Sequence, residues 1–293
     1  MRPDLELLRN LIDTTPEIAP RPGAGKSAAE VRAAESVVGP LSPSYRWWLA
    51  EYGEGTVARQ EIATVGALRH IGGPDIAGRR PEGDRLPFHQ DGDCGDRYSF
   101  ALDAAGADGE HPVVRHDPFT GEDEPFADSF AGFLTVRTAL LRGLREGPNP
   151  AVARLWRATP GVRLRDGGQV YGPQALGVRN EARGIADRAP HWVLIGEDGT
   201  GGGLFMRRHG RDRTSVHRLA LEAVTAAEPR PEPRAEAGSG SGTGALEAAA
   251  GDVAAIGERL TDDLLGWIRG VRTPAGAGEP PAPGWTGRAG PTG

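Results

Sequence analysis

The sequence predicts an α+β protein built from two successive units. Residues 1–146 read as N-terminal helices, a twisted and mainly antiparallel sheet, and a closing helix. Residues 149–272 read as a variant of the same order. Three observations carry this reading. Apolar residues at helical spacing open and close the first unit: Tyr45, Trp48, Leu49 and Tyr52, then Phe130, Phe133, Leu134, Leu140, Leu141 and Leu144. Alternating runs separated by Gly-containing turns lie between them and recur after residue 190. Between the two sets, near Asn149, the pattern restarts.

Taken in order, Leu5, Leu7, Leu8, Leu11 and Ile12 form a short amphipathic segment ended by Pro16. Ser27 and Glu30 make a capping box that opens a helix to about Val38. Ser42 occupies an N-cap position with Pro43 at the first helical residue, and Gly53 supplies the left-handed stop. Strand material follows at Thr56–Val57 and 62–65, then a loop-rich stretch over 66–87. Residues 98–103 and 112–116 read as a hairpin, and a helix opens near Ala127 and runs to about Leu144. In the second unit, 151–157 offers a short helix, and 169–171, 191–196, 204–207 and 215–219 read as strands. Residues 256–268 read as a helix. Pro/Glu/Arg and then Gly/Ser/Thr/Ala composition marks 227–250 as a flexible insertion, and 273–293 as a disordered Pro/Gly tail.

The 293 residues carry a net charge of −6. The charge is uneven, because 82–128 holds 13 acids against Arg85, Arg97 and Arg115. A field of that sign repels nucleic acid and favours a basic partner. A single cysteine, Cys94, excludes an internal disulfide. No apolar run approaches membrane-spanning length and the N-terminus lacks an apolar leader core, which predicts a cytoplasmic protein with no membrane partner.

Motif by motif, catalysis and cofactor binding fall away. Gly23–Ser27 lacks the first glycine of a phosphate loop, since Pro20 stands there. Asp91 and Asp93 start like a calcium loop, but Gly95, Asp96 and Leu102 fill the positions that need an acid or Asn, a Gly and a Glu. His111 and His116 bracket one strand and point to opposite faces. The Gly/Ser alternation at 238–242 has no strand–turn–helix around it, so it is no nucleophile elbow. Cys94 lacks a basic neighbour to activate it. The expectation is a non-enzyme with no catalytic residues, no metal and no cofactor.

Residues 35–55, Glu-Ser-Val-Val-Gly-Pro-Leu-Ser-Pro-Ser-Tyr-Arg-Trp-Trp-Leu-Ala-Glu-Tyr-Gly-Glu-Gly, combine an acidic helix, a Pro-containing turn, an aromatic helix and a Gly-x-Gly exit. This resembles the SUKH superfamily (SMI/KNR-like domains), with Ser-Pro in place of the turn's usual Pro. Ser129, Phe130, Phe133 and Leu134 are similar to that family's closing motif, so the resemblance covers roughly 20–145. Pro190 to Gly199 is similar to its central hairpin, which suggests a variant second copy. The resemblance implies a bacterial immunity protein that neutralises a toxin by stoichiometric binding, or alternatively a regulatory interaction scaffold of the cell-wall and signalling type. The acidic face then points to a basic toxin domain as protein partner. The candidate contacts are Trp47, Glu54, Asp91, Asp93, Asp96, Asp108, Glu110, Glu122, Asp123 and Glu124. The sequence leaves the oligomeric state open.

Overall fold

Short polar residues fix where the helices start. Asp4 accepts the Glu6 and Leu7 N–H groups at 3.1 Å each and opens α1 (Leu5–Asp13). Ser27 and Glu30 close a reciprocal capping box on α2 (Ala28–Val38), as expected. α3 (Pro43–Glu51) begins at Ser42 with Pro43 at its first position, and Gly53 follows its end at φ +69°. The Ser42 hydroxyl does not cap this helix, however; it accepts the His111 N–H at 3.0 Å. The cap comes instead from Glu110, whose carboxylate accepts the Ser44 N–H at 2.8 Å and the Ser44 hydroxyl at 2.7 Å.

The computed structural model describes residues 1–65, 83–210, 212–226 and 257–271, and within them the chain is mixed α+β with antiparallel sheets. The first sheet joins β1 (Ile18–Pro20), β2 (Gly55–Val57) and β3 (Gln60–Glu61). A second has the order β4 (Arg85–Gln90), β5 (Arg97–Ala101), β6 (Val113–His116) and β7 (Asp123–Ala127). An Ile62–His89 bridge links the two. Behind them lies α4 (Phe130–Leu141), capped by Ser129 on the Gly132 N–H at 2.9 Å. The rings of Tyr45, Trp48, Phe88, Phe100, Phe130 and Phe133 fill the core between helices and strands, with Phe88 and Phe100 stacked at 4.3 Å. Each such ring buried contributes about 2 kcal/mol or more.

The second half holds α5 (Pro150–Trp156), β8 (Val162–Arg163), β9 (Gln169–Val170), α6 (Pro173–Ala182), α7 (Ile185–Arg188), β10 (Trp192–Glu197), β11 (Gly202–Arg207), β12 (Val216–Ala220), α8 (Leu221–Ala226), β13 (Glu258–Thr261) and α9 (Leu264–Val271). Its strands form one antiparallel six-stranded sheet in the order β13-β12-β11-β10-β9-β8. Trp156, Trp192 and Phe205 anchor its own core. β10 bulges between Leu194 and Gly196, and the Asn180 amide takes up both the N–H and the carbonyl of Leu194 at 3.0 and 2.8 Å.

Several expectations change here. Residues 85–90 and 123–127 are strands, although each contains a proline. Pro87 sits at a bulge of one edge strand and Pro125 lies in the other, the positions where a missing N–H is tolerated. The closing helix starts at Phe130, and Leu140 and Leu141 are 41% and 39% exposed, so neither belongs to the core. Helices α6 and α7 were not expected. Residues 258–261 pair with β12 as a strand, so the helix expected over 256–268 is α9, beginning at Leu264. Of the loop expected over 66–87, residues 85–87 open β4 instead, and 66–82 fall outside the described residues, as do the insertion 227–250 and the tail 273–293.

Candidate functional site

The β4–β5 turn (91–96) and the β6–β7 turn (117–122) leave the same end of the four-stranded sheet. Arg97 and His116 are register partners directly below them. A Cβ placed on Gly95 would lie 3.5 Å from Pro118 Cγ, so the two turns stand side by side. Each is built by an aspartate. Asp91 accepts the Asp93 N–H at 2.9 Å, and its own N–H donates to the Asp96 carbonyl at 2.8 Å. Asp117 accepts the Phe119 and Thr120 N–H groups at 2.7 and 3.2 Å, while the Gly121 N–H donates to its carbonyl at 2.9 Å. Those backbone donors hold the Asp117 carboxyl below its ordinary range. Gly121 takes φ +73°, the left-handed value that closes the turn.

At the apex is Phe119, 85% exposed. A large ring held away from the core by a hydrogen-bonded turn is the shape of an interface anchor. Glu122 in the same turn and Asp93 in the neighbouring one are both exposed and without an ion pair among the described residues. Asp123 is shared between His116 Nδ1 at 2.9 Å and Arg85 Nε at 3.5 Å, and Glu124 meets Arg115 at 2.6 Å. A depression of about 390 Å³ opens beside the tip on the outer face of the sheet, lined in part by Arg97, Ser99, Val114 and His116.

The ten residues singled out from sequence separate into three places. At the tip, Asp93, Glu122, Asp123 and Glu124 face solvent, whereas Asp91 and Asp96 are buried against Arg137 (2.6 Å) and Arg115 (3.6 Å). Burial alone would raise the Asp91 carboxyl, but the Asp93 N–H and Arg137 outweigh it and bring it below its usual value. Asp108 and Glu110 lie in the β5–β6 connection at the opposite end of the sheet, with Asp108 accepting the Glu110 N–H at 3.3 Å. Glu110 is buried at the start of α3, and burial raises its carboxyl. Trp47 and Glu54 belong to the helical flank. The Arg9 guanidinium lies 5.7 Å from the Trp47 ring centre and Tyr52 packs edge-on at 5.6 Å. Glu54 binds Arg21 at 2.6 Å and Lys26 at 2.9 Å.

Phe119 escaped the sequence reading, although a signal was there. Asp117-Pro118-Phe119-Thr120-Gly121 is turn chemistry, and it carries an aromatic at the turn's third position. Elsewhere, a cleft of about 1010 Å³ opens in the second half between the 143–150 loop, α6, α7 and the Arg208, His209 and Arg213 segment. Its described lining carries no Ser, Thr, Cys or Lys. Among the described residues no group of three or more His, Cys, Asp or Glu is placed to hold a metal ion, and no helix is long and apolar enough to cross a membrane. Cys94 is exposed in the first turn, with its thiol raised by burial and by its aspartate neighbours. No protein-family model matches the chain, and no characterised protein matches its sequence.

Proposed function

We propose that this chain is a non-catalytic binding protein of the SUKH immunity type, which neutralises a basic toxin domain in the cytoplasm of the producing cell. The observation that carries the proposal is Phe119, exposed on a hydrogen-bonded turn that also holds the exposed Glu122 and stands beside the turn that holds the exposed Asp93. The ring would enter an apolar socket of the partner while the carboxylates meet its basic rim. In such an arrangement the anchor sets the dissociation rate and the rim speeds association. Resemblance over 20–145 supports the family, and the described residues form two hydrophobic cores, one in each half.

The test is capture from the native host's lysate and culture medium, followed by kinetics with the partner recovered. Phe119→Ala is expected to weaken binding about tenfold or more through faster dissociation. Asp93→Lys with Glu122→Lys is expected to slow association at low salt by about tenfold and leave folding intact, because both side chains are exposed. A partner retained equally by wild type and by both variants sinks the proposal. A second reading, an interaction scaffold, is favoured by the separate 1010 Å³ cleft in the second half. Capture of several envelope-synthesis proteins in place of one basic partner would select it.

A further inference from the structure

Arg137 stands on α4 and reaches the base of the acidic tip. Its Nη2 lies 2.6 Å from the Asp91 carboxylate, and both side chains are 11% exposed. Its Nη1 donates to the Tyr98 hydroxyl at 3.2 Å, and the guanidinium carbon lies 5.6 Å from that ring's centre. Asp91 in turn closes the 91–96 turn through its own N–H and carboxylate. The series continues outward, with Asp96 3.6 Å from Arg115 and Arg115 2.6 Å from Glu124. The 91–96 turn is therefore held by a cation at each end, Arg137 on Asp91 and Arg115 on Asp96. Breaking a pair this enclosed leaves an uncompensated buried charge, an effect far larger than loss of an exposed pair.

The other side of α4 belongs to the second half of the chain. Ala139 is part of the second core, the Ser129 hydroxyl donates to the Ala158 carbonyl at 2.9 Å, and Arg142 Nη1 donates to the Gln174 carbonyl at 3.2 Å. The helix that carries Arg137 is thus clamped from behind.

We propose that Arg137 is the positioning residue of the tip: it fixes the 91–96 turn against the Phe119 turn, from a helix that the second half holds in place. The inference rests on the tip being the partner-binding surface and deepens that reading. It gives Asp91 and Asp96 the task of shaping the surface while Phe119, Asp93 and Glu122 touch the partner. It also gives the second half a part in binding that requires no contact with the partner.

The amides of Asp91 and Asp93 are built-in reporters, because their N–H groups close the turn at issue. The experiment compares their hydrogen exchange in the full-length wild type, Arg137→Met, Arg137→Lys and Leu134→Ala, each well below its own unfolding midpoint. Leu134→Ala takes stability from the same helix without touching the turn. Arg137→Met is expected to speed exchange at both amides about fivefold or more as the turn opens, Arg137→Lys to restore most of the protection, and Leu134→Ala to leave it unchanged. With the partner recovered by capture, Arg137→Met is expected to dissociate about tenfold faster. Unchanged exchange in Arg137→Met overturns the positioning role whatever the partner is. Faster exchange with an unchanged dissociation rate overturns its part in binding. If Phe119→Ala also keeps the partner, the fault lies with the interface reading itself.

Discussion

His89 is where burial most clearly decides a protonation state. Its Nδ1 lies 3.1 Å from the Glu61 carbonyl, which assigns the ring proton to that nitrogen, and Nε2 is enclosed without a partner. The Tyr98 and Phe133 rings pack against it at 5.7 and 5.4 Å. Burial draws its pKa down to about 4; Arg137 pulls the same way, while the Glu61 carbonyl and Asp91 pull upward. The folded chain therefore binds this proton less readily than the unfolded one. Stability from His89 is complete above pH 6.5 and is lost as pH falls toward 4, at up to about 1.4 kcal/mol per pH unit. His217, also drawn down by burial, acts in the same direction, so only a difference measurement isolates His89. His89→Phe is expected to flatten the acid limb of the urea midpoint between pH 6.5 and 4 relative to wild type. Parallel curves would show that the ring titrates as freely folded as unfolded.

At the scale of the element, α3 shows how a start signal can be right while its chemistry lies elsewhere. Ser42 marks the boundary, yet Glu110, 66 residues beyond Ser44, satisfies the first turn's Ser44 N–H. Glu110→Ala is expected to cost about 1–3 kcal/mol in chemical denaturation, with Glu110→Gln losing less because one acceptor remains. A loss below about 0.5 kcal/mol would mean that water replaces the carboxylate without penalty. Local rules made α2, α3, the β5–β6 hairpin and β10–β12 legible, since their caps and alternation are written within a few residues. They failed where tertiary pairing decides. β4 tolerates Pro87 at its bulge and β7 tolerates Pro125 on an edge, and β13 reads Glu-Arg-Leu-Thr, a strand only by virtue of its pairing with β12. The acidic surface was legible as composition, but its division was not. Asp91 and Asp93 are two residues apart, and only the fold turns one toward Arg137 and the other toward solvent. Phe119 was legible in principle through its turn.

For the whole molecule, the decisive piece is the helix that two cores share. Nine of the twelve residues of α4 are buried, including Thr135, Thr138 and Ala139. A helix buried all round has protein on every side. One face meets the ring cluster of the first core; the rest meets α5 and α6. The closest approach is at Gly132, where an added Cβ would overlap the Arg157 carbonyl, itself accepting the Asp128 N–H at 2.7 Å. Further pairing comes from Arg163, which binds Asp4 at 2.7 Å and also Glu6. Gly132→Ala therefore strains the seam without entering either core. It is expected to cost about 1–3 kcal/mol and to fall unequally. Native-state hydrogen exchange should show amides of α5 and β8 losing protection at lower denaturant than those of β5 and β6, whereas the wild type loses both together. Equal loss on both sides would mean that the halves unfold as one unit even when the seam is strained, and that α4 welds them more tightly than its packing at Gly132 alone requires.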